Sequence, residues 1–266
     1  MRQLAAASID AVGIARQSQD ELARADLLDR GSIQRALGAA APSHVILCAA
    51  ATNVAWCEAN PAASAAINVD GTAVVAEVAR SLGAHLTFIS TDYVFDGSDG
   101  PYPESAATHP INEYGRQKLA AEAVVLADPE ALVIRTCQVF GPDPKRANFI
   151  LRVADRLAAG ETVTAEDDLY GTPTYVTDLA RSLLALIGSD GSGVWHVAGD
   201  RWLSRLELAE LVARTARQPP NVVVPIQAGG DVPRPKRSGL ISERTHEPSL
   251  RSTKLVDAIA KVLASG

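Results

Sequence analysis

Tyr114 and Lys118 stand four residues apart in the stretch NEYGRQK (112–118). On a helix that spacing brings two side chains to one face. A free tyrosine titrates at about 10, too high to trade protons readily at neutral pH. A nearby ammonium favours phenolate and lowers that value. Proton transfer is most efficient when the donor's pKa lies close to the working pH. Thr91, closing the apolar run HLTFIST (85–91), offers a hydroxyl to the same oxygen. Thr91, Tyr114 and Lys118 could therefore protonate or deprotonate an oxygen while hydride moves at the carbon bearing it. A Tyr-x-x-x-Lys pair alone is equally a solvated helix face, so its meaning depends on the elements around it.

Those elements alternate. Strands are expected at AVGIA (11–15), HVILCAA (44–50), HLTFIST (85–91) and ALVIRT (131–136). Helices are expected at 32–40, over 61–83 as one long helix or a pair, and at 112–127. The rhythm predicts an α/β, Rossmann-like, doubly wound parallel sheet. The strands are almost continuously Val, Ile, Leu and Ala, as strands covered on both faces must be. Thr91 would then end a strand, and the carboxyl ends of strands are where open α/β sheets bind ligands. After FGPDP (140–144) the texture changes. A helix (147–159), a strand-like ETVTA (161–165), the loop 166–178, another helix and the strand GVWHVA (193–198) come next. A helix over 203–216, PPNVVVPI (219–226), a Pro/Gly/Arg-rich loop (229–240) and a helix over about 251–264 complete the chain. The division expected is a dinucleotide-binding part, 1–145 with about 170–198, and a small C-terminal substrate-binding lobe, 146–169 with 199–266.

Bulk properties exclude other classes. A net charge of -6 argues against nucleic acid or an anionic membrane as the main partner. No run of eighteen apolar residues occurs, so no membrane span is expected. Cys48, Cys57 and Cys137 form no Cys-x-x-Cys pair and suit buried thiols in a reducing cytoplasm. The histidines 44, 85, 109, 196 and 246 are dispersed, and none reads as a metal ligand.

Several stretches together resemble the extended short-chain dehydrogenase/reductase superfamily, and within it dTDP-4-dehydrorhamnose reductase and its sugar-nucleotide relatives. They are CAAATNVAWCEANP (48–61), INVDGT (67–72), STDYVFDG (90–97), PINEYGRQKLAAE (110–122), VIRTCQVFGP (133–142), GTPTYVTDLA (171–180) and GVWHVAG (193–199). They follow the family's order over roughly 11–240.

The resemblance implies roles. Tyr114 would donate the proton to a sugar keto oxygen, Lys118 would hold the nicotinamide ribose and lower the tyrosine pKa, and Thr91 would bond the reacting oxygen. Ala49, Ala50 and Ala51 would let the cofactor pass close over a strand end, and Asp26 and Leu27 lie where the family contacts adenine. Asn68 resembles the family asparagine that orders the site. Asp92, Asn148, Thr172 and Arg234 would face the substrate. Arg16 ends the first strand of this chain, where an arginine suits the 2′-phosphate of NADPH, with NADH the alternative. No metal is implied. Asp26 is equally a solvated loop acid, Asn68 a helix-interior contact, and Ala49 to Ala51 a packing surface.

Two departures stand out. The glycine loop that normally joins first strand to first helix has no counterpart, since Gly13 stands alone within AVGIA. The expectation is a sheet truncated at its N-terminal side, read as a start placed about twenty residues late. A degenerate paralogue and a chain completed by a partner are the alternatives. The second is Gln138 in RTCQVFG, where the family commonly carries a tryptophan near the sugar. The activity implied is NADPH-dependent reduction of a nucleotide-linked 4-keto sugar, dTDP-4-dehydro-L-rhamnose first, by a chain that could form a homodimer. An NAD-dependent epimerase or dehydratase, or a non-catalytic regulatory subunit of the methionine adenosyltransferase type, are the rival readings.

Overall fold

The computed structural model describes residues 9–17, 23–219, 222–244 and 250–265. They fall into two compact units, one built from Met1–Val94, Thr108–Ile134 and Leu183–Trp195, the other from Phe95–Ala107, Arg135–Ser182 and His196–Gly266.

The first unit is α/β. Strands β1 (Ile14–Ala15) and β2 (Ala23–Arg24) pair in parallel, Ile14 opposite Ala23. Helix α1 (Arg30–Ala40) follows, capped by the Asp29 carboxylate on the Ser32 N–H. Strand β3 (His44–Leu47) lies parallel to β4 (His85–Thr91), with His44 opposite His85. The four-stranded sheet runs β3-β4-β5-β8, where β5 is Leu132–Thr136 and β8 is Gly193–His196. Between β3 and β4 come α2 (Val54–Ala59), α3 (Pro61–Ala65), one π-helical turn (Ala66–Asp70) and α4 (Gly71–Ser81). Helix α5 (Glu113–Val125) connects β4 to β5. Leu86 and Phe88 of β4, Val133 of β5, Val75 and Ala79 of α4 and Ala121 and Val125 of α5 share one core. Burying a side chain such as Phe88 contributes about 1.5–3 kcal/mol.

The second unit has its own core. Helices α6 (Phe149–Ala158), α8 (Arg205–Thr215) and α9 (Leu255–Ala264) bury Leu151, Leu157, Leu208, Val212 and Ile259 against strands β6 (Val163–Glu166) and β10 (Val223–Ile226). β10 and β6 are parallel, while β7 (Tyr170–Gly171) and β9 (Leu203–Ser204) are antiparallel. Ser204 and Glu207 form a reciprocal capping box at the start of α8. Helix α7 (Val176–Gly188) links the two units in sequence.

Several expected boundaries move. The strand expected over 11–15 pairs only at Ile14–Ala15. The strand expected to reach residue 50 ends at Leu47, because Cys48 to Ala51 turn away to meet Asn68. The short β2 carries no apolar run and gave no signal. Of the thiols expected to be buried, Cys57 and Cys137 are, whereas Cys48 keeps an exposed edge beyond β3. His44 and His85 open their strands and stack on one another, and His196 closes β8. His246 lies outside the described residues. Among the described residues no helix is long and apolar enough to cross a membrane.

Candidate active site

The carboxyl end of β4 collects the residues with chemical potential. Thr91 is its last residue, and Asp92 begins the 3-10 turn Asp92–Val94. Both are buried, and the Thr91 hydroxyl donates to Asp92 Oδ1 at 3.2 Å while accepting from the Tyr93 N–H. Helix α5 brings Tyr114 and Lys118 to this strand end. It starts where it does because Asn112 Oδ1 accepts from the Gly115 N–H at 2.9 Å. It comes close because residue 115 is glycine: a Cβ there would fall on the Tyr93 carbonyl oxygen. The rings of Tyr93 and Tyr114 meet edge to face, 5.9 Å between centroids.

The Tyr114 phenol is half-buried, and loss of solvent raises its pKa well above the ordinary value. A hydrogen bond with Thr91 works the other way, and Asp92, Tyr93 and Cys57 add to the rise. The Lys118 ammonium is directed at β4. Nζ donates to the Ile89 carbonyl at 2.6 Å and lies 3.7 Å from the centre of the Phe88 ring. Burial lowers its own pKa to about 7, opposed by Glu122 and then Cys48.

Asn68, in the π-helical turn, binds the loop beyond β3. Its Oδ1 accepts from the Ala51 N–H at 2.8 Å, and its Nδ2 donates to the Ala51 carbonyl and to Gln117 Oε1. Gln117 continues the link to Ser64 and Glu113. π-turns recur at functional sites because the widened ring re-aims one side chain. Ala49 is exposed, and Ala50 and Ala51 are half-buried. Asp26 Oδ1 accepts from the Leu28 N–H, forming a turn just after β2. Leu27 packs where a Cβ on Gly71 would sit. Arg16 is exposed, one residue beyond β1.

The other expected residues belong to the second unit. Asn148 caps α6 through the Leu151 N–H and donates to the Gly141 carbonyl. It also lines a cavity of about 140 Å³ with Gln138, Phe149, Arg152 and Arg205. The Arg205 guanidinium lies over the Phe149 ring at 4.5 Å. Gln138 holds a left-handed φ of 44°, and its amide occupies the space that a Cβ on Gly171 would fill. Thr172 is buried, and its hydroxyl accepts from the Leu240 N–H, so it anchors the loop carrying Arg234. Arg234 itself is exposed. Gln117, Arg152 and Arg205 were not singled out from sequence. Gln117 carried a usable signal, since it neighbours Lys118 on the same helix. Among the described residues no His, Cys, Asp and Glu cluster could hold a metal.

Several known proteins are similar to this chain. The family model described as RmlD substrate binding domain matches residues 1–265. A dTDP-4-keto-6-deoxy-D-glucose reductase of Streptomyces niveus is 35% identical over 85% of this chain and 80% of its own length. A dTDP-4-dehydrorhamnose reductase of Mycobacterium tuberculosis is 42% identical over 72% of this chain and 64% of its own. The crystal structure of dTDP-4-dehydrorhamnose reductase from Bacillus anthracis in complex with NADP superposes with a TM-score of 0.84 at 26% identity, covering 94% of this chain and 92% of that one. With its strand-end threonine and helix-borne tyrosine and lysine in one unit of such a fold, the chain belongs to the RmlD substrate-binding domain family.

Proposed function

We propose that this chain reduces a dTDP-linked 4-keto sugar with NADPH, dTDP-4-dehydro-L-rhamnose to dTDP-L-rhamnose in the first place. The observation that carries the reading is the convergence of Thr91, Tyr114 and Lys118 at the end of β4 in a member of this family. The relatives named above act on dTDP-4-keto sugars by their names, and one was solved with NADP.

The residues present suit a nicotinamide dinucleotide. Small side chains at Ala49, Ala50 and Ala51 leave the backbone beyond β3 approachable, and Asn68 holds that backbone still. Asp26 and Leu27 form a turn suited to an adenosine, and the exposed Arg16 suits a 2′-phosphate. When bound, NADPH supplies hydride to the keto carbon. Tyr114 Oη gives its proton to the keto oxygen, and Thr91 would turn its one hydroxyl proton from Asp92 to that oxygen. Lys118, charged, stabilises the phenolate left behind. Asp92 is read as a substrate contact of the first unit and Asn148, Thr172 and Arg234 as substrate contacts of the second, where the arginines of the cavity beside Gln138 suit an anionic group. The reading goes with a cytoplasmic setting, which the free thiols suit.

The test is titration of the chain with NADPH, followed by NADPH consumption with dTDP-4-dehydrorhamnose. Binding and turnover are expected. Cofactor binding without turnover of any dTDP-4-keto sugar overturns the reading. Tightly retained NAD with epimerase or dehydratase activity would replace it with that rival, and co-purification with a larger enzyme by an inert chain would replace it with a regulatory role.

A further inference from the structure

We propose that Glu122 is a positioning residue of this site: its buried carboxylate is the counter-charge that keeps Lys118 an ammonium, and its bond to Ser90 ties α5 to the end of β4. The catalytic consequence rests on the reductase reading, whereas the proton linkage between Glu122 and Lys118 does not.

The geometry is local. Tyr114, Lys118 and Glu122 follow one another at four-residue steps along α5, one face of the helix. Lys118 is 3% exposed and Glu122 2%. The Ser90 hydroxyl donates to Glu122 Oε1 at 2.5 Å. Ser90 sits between Ile89, whose carbonyl takes the Lys118 bond, and Thr91. One carboxylate therefore grips the strand at the residue between the lysine's acceptor and the reacting hydroxyl.

The charge argument follows. A buried ammonium with no opposite charge gives up its proton. The groups around Lys118 are Glu122 and Tyr114 along its own helix, the Phe88 ring and Ile89 carbonyl of β4, and Cys48 beyond β3. Desolvation pushes the Cys48 thiol up, so it is neutral at neutral pH despite its exposed edge. Tyr114 likewise keeps its proton. Glu122 is the carboxylate among these groups, and it opposes the desolvation of Lys118. An uncharged residue at this position would leave the lysine to lose its charge where the proposed chemistry needs it.

The experiment is a carbon-13 NMR titration of the Lys118 Cε signal in the full chain, assigned with K118M. E122Q keeps an acceptor for Ser90 and removes the charge. It is expected to lower the Lys118 midpoint by about one pH unit, a tenfold weaker hold on the proton. S90A removes the bond and keeps the charge, so the midpoint is expected to stay near that of the wild type. In turnover, the alkaline limb of the kcat profile is expected to shift down with E122Q by the same amount. An unmoved midpoint in E122Q makes Glu122 a packing residue and overturns the proposal, whatever happens to activity. If E122Q does not fold, S90A decides: a midpoint that falls with the bond alone also overturns it. A midpoint that moves in a chain without turnover refutes the reductase reading and leaves the proton linkage standing.

Discussion

Asn68 and Ala51 exchange two hydrogen bonds, the Ala51 N–H to Oδ1 at 2.8 Å and Nδ2 to the Ala51 carbonyl at 3.1 Å. This is the pattern by which neighbouring strands recognise each other, here made by one side chain from a helical turn. It closes the backbone of residue 51, in the loop beyond β3, whose polar groups would otherwise lack these partners. Through Gln117 the same asparagine reaches α5, so it couples the loop beyond β3 to the helix that carries Tyr114 and Lys118.

Replacing Asn68 by leucine should therefore cost more than one hydrogen bond. The Ala51 N–H and Gln117 Oε1 lose the Asn68 bond and the Ala51 carbonyl keeps only the weak Cys57 thiol donor, and unsatisfied buried groups cost about 1–3 kcal/mol each, partly relieved by water. We expect a loss of about 2–4 kcal/mol with an unchanged denaturant slope, read from urea unfolding. Affinity for NADPH should fall in the same variant.

Y114F should separate chemistry from binding. General acid catalysis is worth about 10²–10⁴ in rate, and kcat should fall by that order. The NADPH dissociation constant should stay within about threefold of the wild type, because the ring and its contact with Tyr93 remain. Single-turnover kinetics beside a fluorescence titration checks both.

Lys118 should make stability depend on pH in a stated direction. Its folded pKa is depressed to about 7, below the unfolded value of 10.5. Below pH 7 both states hold the proton, and folding bears the full cost of burying the ammonium. Between about 7 and 10.5 the unfolded state binds more protons, so stability rises with pH. K118M removes the effect. Its Tm advantage over the wild type should be largest at pH 6 and shrink as pH rises toward 10, measured by calorimetry across that range. An advantage that is constant with pH would refute the buried ammonium.

Gly115 is predicted to tolerate no side chain. A Cβ would lie on the Tyr93 carbonyl oxygen, which is backbone and cannot swing aside. G115A should push α5 off the 3-10 turn, costing about 1–3 kcal/mol as overpacking does. Because a 1 Å misplacement of a catalytic group can cost about 10²-fold, kcat should fall by about that factor while KM changes little. Thermal unfolding and steady-state kinetics of the one variant test both parts.

Gln138 should show the opposite balance. Its left-handed φ of 44° strains a residue with a Cβ by about 1 kcal/mol or more. Q138G should relieve that strain, offset in part by added unfolded-state freedom, and leave stability equal or up to about 1 kcal/mol higher. It also removes the amide seated over Gly171 at the cavity edge. A rise in KM for the nucleotide sugar without loss of Tm would mark the strain as functional.

Much of this was legible in the chain itself. The strand HLTFIST coincides with β4 and the helix expected at 112–127 covers α5, because apolar continuity and helical spacing are local properties. Asparagines at 53, 112 and 148 announce their helices by capping them. The pairing of Tyr114 with Lys118 on one face follows from 3.6 residues per turn and needs no tertiary information. So does the threonine at a strand end, once the alternation of strands and helices is recognised.

Other features were decided only when the chain closed on itself. β2 is two residues long and exists because β1 offers it a parallel partner. The buried face of α5 carries Gln117, Lys118 and Glu122, so it reads as polar and hides its own burial. The direction of the Lys118 ammonium, onto Phe88 and Ile89, depends on a strand 29 residues away. The clasp between Asn68 and Ala51 spans 17 residues, and the bond from Glu122 to Ser90 spans 32. Spacing along one helix or strand says which side chains can share a face. It does not say how much water that face will lose, and in this site desolvation raises the pKa of Tyr114 and lowers that of Lys118.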